Sequence, residues 1–421
     1  MLRFIHASDL HIDSPMRGLE RYEGAPAGEV RGATRQALRN LVQLAVDRRA
    51  AFVLVAGDLY DSDWRDYNTG LFFANEMRRL REAGVRVFLV AGNHDAASQI
   101  TRSLRMPENV RLLSHDKPET VVLDDLGIAL HGQSFSRAAV TDNLAARYPA
   151  AVRGYFNIGL LHTAANGREG HEPYAPCTVE DLLARGYDYW ALGHVHQREV
   201  LRRDPWIVFP GNTQGRHIRE AGPKGCTLVT LVDGRCTAVE EHDLHTVEWA
   251  LCEVAATEAG SPEEAVALVP GAVEALRKEA RVPLLAVRIV IRGASPAHAG
   301  LTGAPGKWTN ELRAAVTDAA SGGAWIEKVV FDTRSTTRIE DLLQRGDIEG
   351  EFMRSLQEVT PDDPALAGLS DDILQWRSKF PAEFFEGPDR LDLESPISRE
   401  ALLLKARNTL LGRLLEAGGD R

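Results

Sequence analysis

Near its start the chain switches between two apolar periods. Leu2-Arg-Phe-Ile-His-Ala7 reads as a short strand, and from Thr34 to Arg48 apolar residues return at helical spacing through Leu38, Leu41, Val42 and Ala45. Phe52-Val-Leu-Val-Ala56 is a continuous apolar run of the buried-strand kind. A second helix is expected from about Asn68 to Ala83, stopped by Gly84, with Val85 to Ala91 as the next strand. Strand, helix, strand, helix, strand predicts a parallel sheet covered by helices, with ligands gathering beyond the carboxyl ends of the strands.

The pattern resumes with Ile158 to Leu161 before His162, and with Tyr187 to Leu192 before Gly193-His-Val-His196. Two hairpins are predicted, Thr120–Leu123 with Ile128–Leu130, and Thr227–Val232 with Cys236–Val239 across Asp233-Gly234; both read as antiparallel additions. Near residue 241 the character changes. Val287–Ile291, a helix near Asn310 to Ala320, and Trp325–Phe331 form a small strand-helix-strand unit, placed at 241–336. The remainder, 337–421, reads as helical through Ile339–Leu343, Glu351–Leu356 and a last helix begun by Ser395-Pro396 or Ser398. That helix carries Leu403, Ala406, Leu410 and Leu414 on one face, to pack on its own protein or to meet a partner.

Composition narrows the setting. At 421 residues with 44% apolar content, the chain can build one large core plus smaller units. Met1-Leu-Arg-Phe-Ile runs almost directly into Asp9-Leu-His11, which leaves no room for a secretory leader, and no apolar run is long enough to span a bilayer. Cys177, Cys226, Cys236 and Cys252 show neither Cys-x-x-Cys spacing nor the density of a disulfide framework, so a reducing cytoplasm is expected. The net charge of −11 argues against broad nonspecific binding to nucleic acid. Arg102, Arg105 and Arg111, or Arg198, Arg202 and Arg203, offer local basic tracks unless they are simply solvated.

The polar residues at the strand ends change the picture most. Asp9-x-His11, Gly57-Asp58-Leu-Tyr-Asp61, Gly92-Asn93-His94-Asp95, His162, and Gly193-His194-Val-His196 follow five successive strands, and five of the thirteen histidines fall inside them. Carboxylates, imidazoles and an amide oxygen without thiolates suit catalytic divalent manganese, iron or zinc rather than a structural zinc site. A carboxylate directly after a strand-end glycine, here Asp58, can bridge two ions about 3.5–4 Å apart, the arrangement that serves in-line displacement at phosphorus. Asp9-Leu-His11 and His194-Val-His196 read as extended segments, in which alternation turns both polar members of each pair to the same side.

These motifs resemble the calcineurin-like metallophosphoesterase superfamily over roughly residues 1–240. The resemblance implies an α/β fold, a two-sheet sandwich flanked by helices, with a small α/β capping domain (241–336) and a helical C-terminus (337–421) that binds a partner. It further implies that Asp9, His11, Asp58 and His196 hold one ion, that Asp58, Asn93, His162 and His194 hold the other, and that His94, oriented by Asp95, acts on the leaving group. Asp95 could equally be a turn or cap residue.

Ser8–Pro15, Gly57–Asp61, Gly92–Asp95 and Pro210-Gly-Asn-Thr-Gln-Gly-Arg-His-Ile-Arg-Glu220 look most like the SbcD/YhaO group of bacterial exonuclease subunits. That resemblance implies a manganese-dependent nuclease acting on DNA in repair. Its partner would be an SMC-like ATPase of the SbcC/YhaN type, docked on the C-terminal helices, and a homodimer is also implied. The archaeal and eukaryotic relatives of SbcD carry histidine where this chain has Asp61. Asp61, Asp13, Arg216, His217 and Arg219 are open between supporting roles and direct contact with the substrate. A diesterase acting on a cyclic nucleotide or another small phosphodiester, and a non-catalytic scaffold, remain as alternatives.

Overall fold

The computed structural model describes residues 1–14, 26–61, 67–97, 106–167, 174–320, 322–336, 343–360, 363 and 395–419. Expectations that fall on Pro15, Arg102, Arg105 and residues 339–342 lie outside them. Among the described residues, fifteen strands run β1 (Leu2–Ala7), β2 (Phe52–Ala56), β3 (Arg86–Val90), β4 (Val110–Leu112), β5 (Glu119–Leu123), β6 (Ile128–Gly132), β7 (Phe156–His162), β8 (Tyr189–Gly193), β9 (Glu199–Arg203), β10 (Trp206–Phe209), β11 (Gly225–Val232), β12 (Arg235–Asp243), β13 (Val247–Ala255), β14 (Leu284–Ala294) and β15 (Ala324–Arg334).

The strands form two six-stranded sheets, ordered β12-β11-β1-β2-β3-β4 and β5-β6-β7-β8-β10-β9, and a three-stranded sheet β13-β14-β15. In the first sheet β1 to β4 are parallel, and in the second β6, β7, β8 and β10 are. Antiparallel strands complete the sheets: the β11–β12 hairpin beside β1, and β5 and β9 at the edges. Both predicted hairpins form. The five motif-bearing strands, read as one parallel series, divide between the two sheets: β1, β2 and β3 in one, β7 and β8 in the other.

Alternation along each strand explains the layers. Ile5, Ala7, Val53 and Val55 point into a core with Leu38, Leu41 and Val42 of helix α1 (Ala27–Asp47) and Phe73, Met77 and Leu80 of helix α2 (Tyr67–Glu82). Phe4, Phe52 and Leu54 point the other way and meet Ile158, Leu160, Tyr189 and Val208 of the second sheet. Every residue of β2 is therefore buried, as its unbroken apolar run requires. Within this inter-sheet core His6 receives a hydrogen bond from the Tyr189 hydroxyl at Nδ1 (3.0 Å) and donates from Nε2 to the Leu192 carbonyl (3.1 Å).

Two compact units can be distinguished, Met1–Ala250 with Arg277–Val287 and Gly323–Glu327, and Leu251–Leu276 with Arg288–Gly322 and Lys328–Arg421. In the second unit the last helix spans Pro396–Gly419, with proline in its first turn. Leu402, Leu404 and Leu410 on it are 44%, 54% and 40% exposed, and Ile348 on the helix Ile348–Glu358 is 79% exposed, so part of this apolar surface is not packed on the chain itself. No described helix is long and apolar enough to cross a membrane.

Candidate metal centre

The strand ends hand over to a backbone that is anything but extended. Beyond β1, Asp9 and His11 adopt φ of 51° and 41°, and beyond β2 Gly57 and Asp58 adopt 93° and 54°. The two segments pair irregularly, with the amides of Asp9, His11 and Ile12 donating to the carbonyls of Gly57, Asp58 and Leu59 (3.0, 3.1 and 3.0 Å). The expectation that alternation aligns Asp9 with His11 is corrected: left-handed residues do it, at about 1–2 kcal/mol each for a side-chain-bearing residue. His194, with φ 102°, likewise leaves the strand geometry, and its amide donates to both Asp9 oxygens (3.2 and 3.0 Å). A Cβ at Gly57 would land on the His162 ring, and one at Gly92 on the Asp58 carboxylate, so both glycines are required by close approach.

Three groups of ligand-type atoms result among the described residues, each with its atoms within 4.8 Å of one another. One is His11/Asp61/His94, in which Asp61 and the His11 Nδ1 are already engaged with each other. The other two are Asp9/His11/His196 and Asp9/Asp58/His162. Both draw on Asp9, while Asp58 Oδ2 stands 3.9 Å from His11 Nε2 and 3.5 Å from His162 Nε2, so two carboxylates lie between the groups.

The tautomers test whether cations fit. His11 Nδ1 lies 2.7 Å from Asp61 Oδ1 and His196 Nδ1 lies 2.7 Å from Glu220 Oε1. Both carboxylates are held well below their ordinary pKa: burial would raise them, but around Asp61 the His11 hydrogen bond, and around Glu220 the Arg216 charge, outweigh it. Ionised carboxylates only accept, so each imidazole carries its proton on Nδ1 and presents a bare Nε2 lone pair. These two Nε2 atoms face each other at 3.3 Å. His162 repeats the arrangement. Its Nδ1 donates to the Ala56 carbonyl (2.9 Å), leaving Nε2 opposite Asn93 Oδ1 at 3.0 Å. Lone pairs that converge in this way repel unless a cation lies between them. The His194 ring closes this side, edge-on to His162 with centroids 5.1 Å apart.

The charges agree. Asp58 is pushed well above its usual range, first by burial and then by the Asp9 and Asp95 charges.

His94 stands apart from the Nε2 pairs. Its side chain is 37% exposed, its amide donates to Asp58 Oδ1 (3.0 Å), and its buried Nδ1 has no hydrogen-bond partner. The expectation that Asp95 orients it is corrected: Asp95 accepts from the amides of Leu59 (2.9 Å), Tyr60 (3.1 Å) and Gly92 (3.1 Å), which pins two strand-end loops together. The carboxylate near His94 Nδ1 is Asp61, at 3.6 Å.

Asp13 is occupied elsewhere, binding Arg35 (2.6 and 2.5 Å) and the Thr69 hydroxyl (2.5 Å) to tie the loop after β1 to α1 and α2. His217 and Arg219 are exposed, whereas Arg216 is turned inward. Of the basic tracks, Arg111 pairs with Glu119 and Arg198 with Glu241. The Glu220 partnership escaped the sequence reading, and only its place ten residues beyond Pro210, in a motif already singled out, hinted at it.

Comparison with known proteins adds the family. The model of the calcineurin-like phosphoesterases matches residues 2–198, and that of the middle domain of metallophosphoesterase YhaO matches residues 249–334. The Bacillus subtilis protein called uncharacterized metallophosphoesterase YhaO is 38% identical over 299 residues, covering 70% of this chain and 72% of its own. The chain belongs to the YhaO-type calcineurin-like metallophosphoesterases. As a member it is a metal-dependent phosphoester hydrolase. DNA double-strand break repair proteins Mre11 are more distant: that of Saccharolobus solfataricus is 24% identical, covering 49% of this chain and 53% of its own, and that of Methanopyrus kandleri 25%, covering 59% and 57%. The chain thus spans little more than half the length of these Mre11 relatives.

Proposed function

We propose that this chain is a two-metal phosphodiesterase that cleaves DNA during repair in the cytoplasm, with Mn²⁺ as its working ion. The observation that carries the reading is the convergence of bare Nε2 lone pairs and two shared carboxylates on adjoining positions. Asp9, His11, Asp58 and His196 would hold one ion, and Asp58, Asn93, His162 and His194 the other, with Asp9 close enough to serve both. Oxygen and imidazole donors without thiolate suit manganese, with iron or zinc as alternatives.

When bound, such a pair of ions supplies charge neutralisation at phosphorus and an activated water for in-line attack. His94, half-open to solvent, stands where it can hold or deliver a proton at the leaving oxygen, with the Asp61 carboxylate 3.6 Å from its Nδ1. Burial lowers the His94 pKa, and the Asp61 charge works against that shift. Asp95 acts on the backbone, keeping the Gly57–Tyr60 and Gly92–Asp95 loops in register.

DNA as substrate is supported by the likeness to the Mre11 proteins and to the exonuclease motifs. We assign residues 1–240 to the nuclease domain, 241–336 to the capping domain and 337–421 to a region that docks an SMC-like ATPase, consistent with the exposed leucines near the end of the chain. A second reading, a diesterase for a cyclic nucleotide or other small phosphodiester, is favoured by the net charge of −11. End-labelled duplex and single-stranded DNA, incubated with Mn²⁺ or EDTA beside a small-diester control and His94→Ala, separates the two. Metal-dependent shortening of DNA that the variant loses supports the nuclease. Diester cleavage with DNA intact, even with the ATPase added, overturns it.

A further inference from the structure

The loop from Pro210 to Glu220 is built around one inward-turned guanidinium. The Arg216 side chain is only 15% exposed and Glu220 only 6%. Arg216 donates to Glu220 three times, from its amide to Oε2 (2.8 Å), from Nη2 to Oε1 (2.8 Å) and from Nε to Oε2 (3.4 Å). Its remaining arm, Nη1, reaches to 3.7 Å from Asp61 Oδ1, on the loop that follows β2. One planar cation therefore spans two carboxylates brought from different strand ends.

Each of those carboxylates has a second task. Glu220 Oε1 accepts from His196 Nδ1 and Asp61 Oδ1 from His11 Nδ1, both at 2.7 Å. Arg216 Nη2 is 3.2 Å from His196 Nδ1, and both nitrogens donate to the Oε1 they share. A buried carboxylate without a counter-charge is costly, so it moves toward solvent when it can. Either movement would let an imidazole swing, and the Nε2 atoms, now 3.3 Å apart, would lose their common target.

The loop is held independently of the arginine. Gln214 Nε2 donates to the Val247 carbonyl (2.6 Å), Gln214 Oε1 accepts from the Thr246 amide (2.9 Å), and Trp249 Nε1 donates to the Gly215 carbonyl (3.0 Å). Asn212 Nδ2 adds a further bond to Glu220 Oε2 (2.9 Å).

We propose that Arg216 is a positioning residue: by bridging Glu220 and Asp61 it locks the two carboxylates that aim His196 and His11, and so fixes both Nε2 lone pairs on one cation position. The inference rests on the two-metal reading above and adds a residue outside the set of metal ligands, one that acts through Glu220 and Asp61. Lysine cannot replace it, because a point charge on a flexible stem lacks the planar fork that reaches both carboxylates at once.

The test is Mn²⁺ binding by electron paramagnetic resonance titration of the full chain, with melting followed in parallel. Arg216→Gln is expected to stay folded and to bind one ion roughly 10–100-fold more weakly, the usual loss when a partner behind a metal-binding imidazole is removed. Arg216→Lys should fall between it and wild type. Combined with Asp61→Asn, Arg216→Gln should cost less than the sum of the two single losses, because the part of the arginine's effect that passes through Asp61 to His11 is already gone. A folded Arg216→Gln with wild-type affinity overturns the proposal, as do fully additive losses. Should Arg216→Gln fail to fold, wild-type affinity in Arg216→Lys overturns it instead. Wild-type protein that binds no Mn²⁺, Fe²⁺ or Zn²⁺ would remove the two-metal reading itself, a different failure from variants that bind as wild type does.

Discussion

The strand-end site of the first unit and the last helices of the second unit use the same chain in opposite ways. At the site, Asp9, His11, Asp58 and His162 are all but excluded from solvent, and each is held by backbone or by a neighbouring side chain. On Ile348–Glu358 and Pro396–Gly419 the informative residues are apolar and open, with Ile348 79% and Leu404 54% exposed. The first arrangement uses burial to aim polar atoms, which chemistry requires; the second leaves apolar area uncovered, as a surface awaiting a partner does. Substitutions should therefore separate the two regions: losses of catalysis from the first, losses of association from the second.

The largest effect is expected at the shared carboxylate. Asp58→Asn should lower Mn²⁺-dependent hydrolysis of bis-p-nitrophenyl phosphate by about 10³-fold or more, the several kcal/mol that paired ions contribute, and lower the bound metal measured by elemental analysis. Normal turnover in this variant would break the comparison at its centre. Next comes His94→Ala, expected to lose roughly 10²–10⁴-fold in kcat with metal content intact, since it is placed to move a proton rather than to bind an ion. If metal content falls with kcat, His94 belongs with the ligands.

Burial of His6 sets a smaller effect on stability. Burial lowers its pKa to about 3, against an ordinary 6.5, although the Leu192 hydrogen bond works the other way. Between those values the unfolded chain takes a proton that the folded protein refuses. The stabilisation is therefore complete above pH 6.5 and declines as pH falls toward 3, by at most about 1.4 kcal/mol per unit. Urea unfolding at pH 7.0 and 5.5 should show this slope in the wild type and a flatter one in His6→Gln. The smallest effect should come from Leu404→Glu with Ile348→Glu, which we expect to change stability by only about 0.5 kcal/mol each and to leave diester hydrolysis alone, while abolishing co-purification with the proposed SMC-like ATPase partner. Co-purification that survives both substitutions would place the docking surface elsewhere.

Read by itself, the sequence determined the motif-bearing strands of the phosphoesterase half, the two helices between the first three of them, both hairpins, and which residue types stand at the ends of β1, β2, β3, β7 and β8. It did not determine β4, β9, β10 or the helix Val179–Leu183. Apolar periodicity is a local property, and a histidine or aspartate after a strand end needs no partner to be noticed. Three things were decided only in three dimensions. The motif strands divide between two sheets, because period alone cannot say which face meets a helix and which a second sheet. Asp9 and His11 meet through left-handed backbone conformations that the ladder to Gly57–Leu59 stabilises, which no alternation rule anticipates. Asp95 went to backbone amides, leaving Asp61 beside His94 and Glu220 behind His196, since which carboxylate reaches which imidazole depends on distances between loops far apart in the chain.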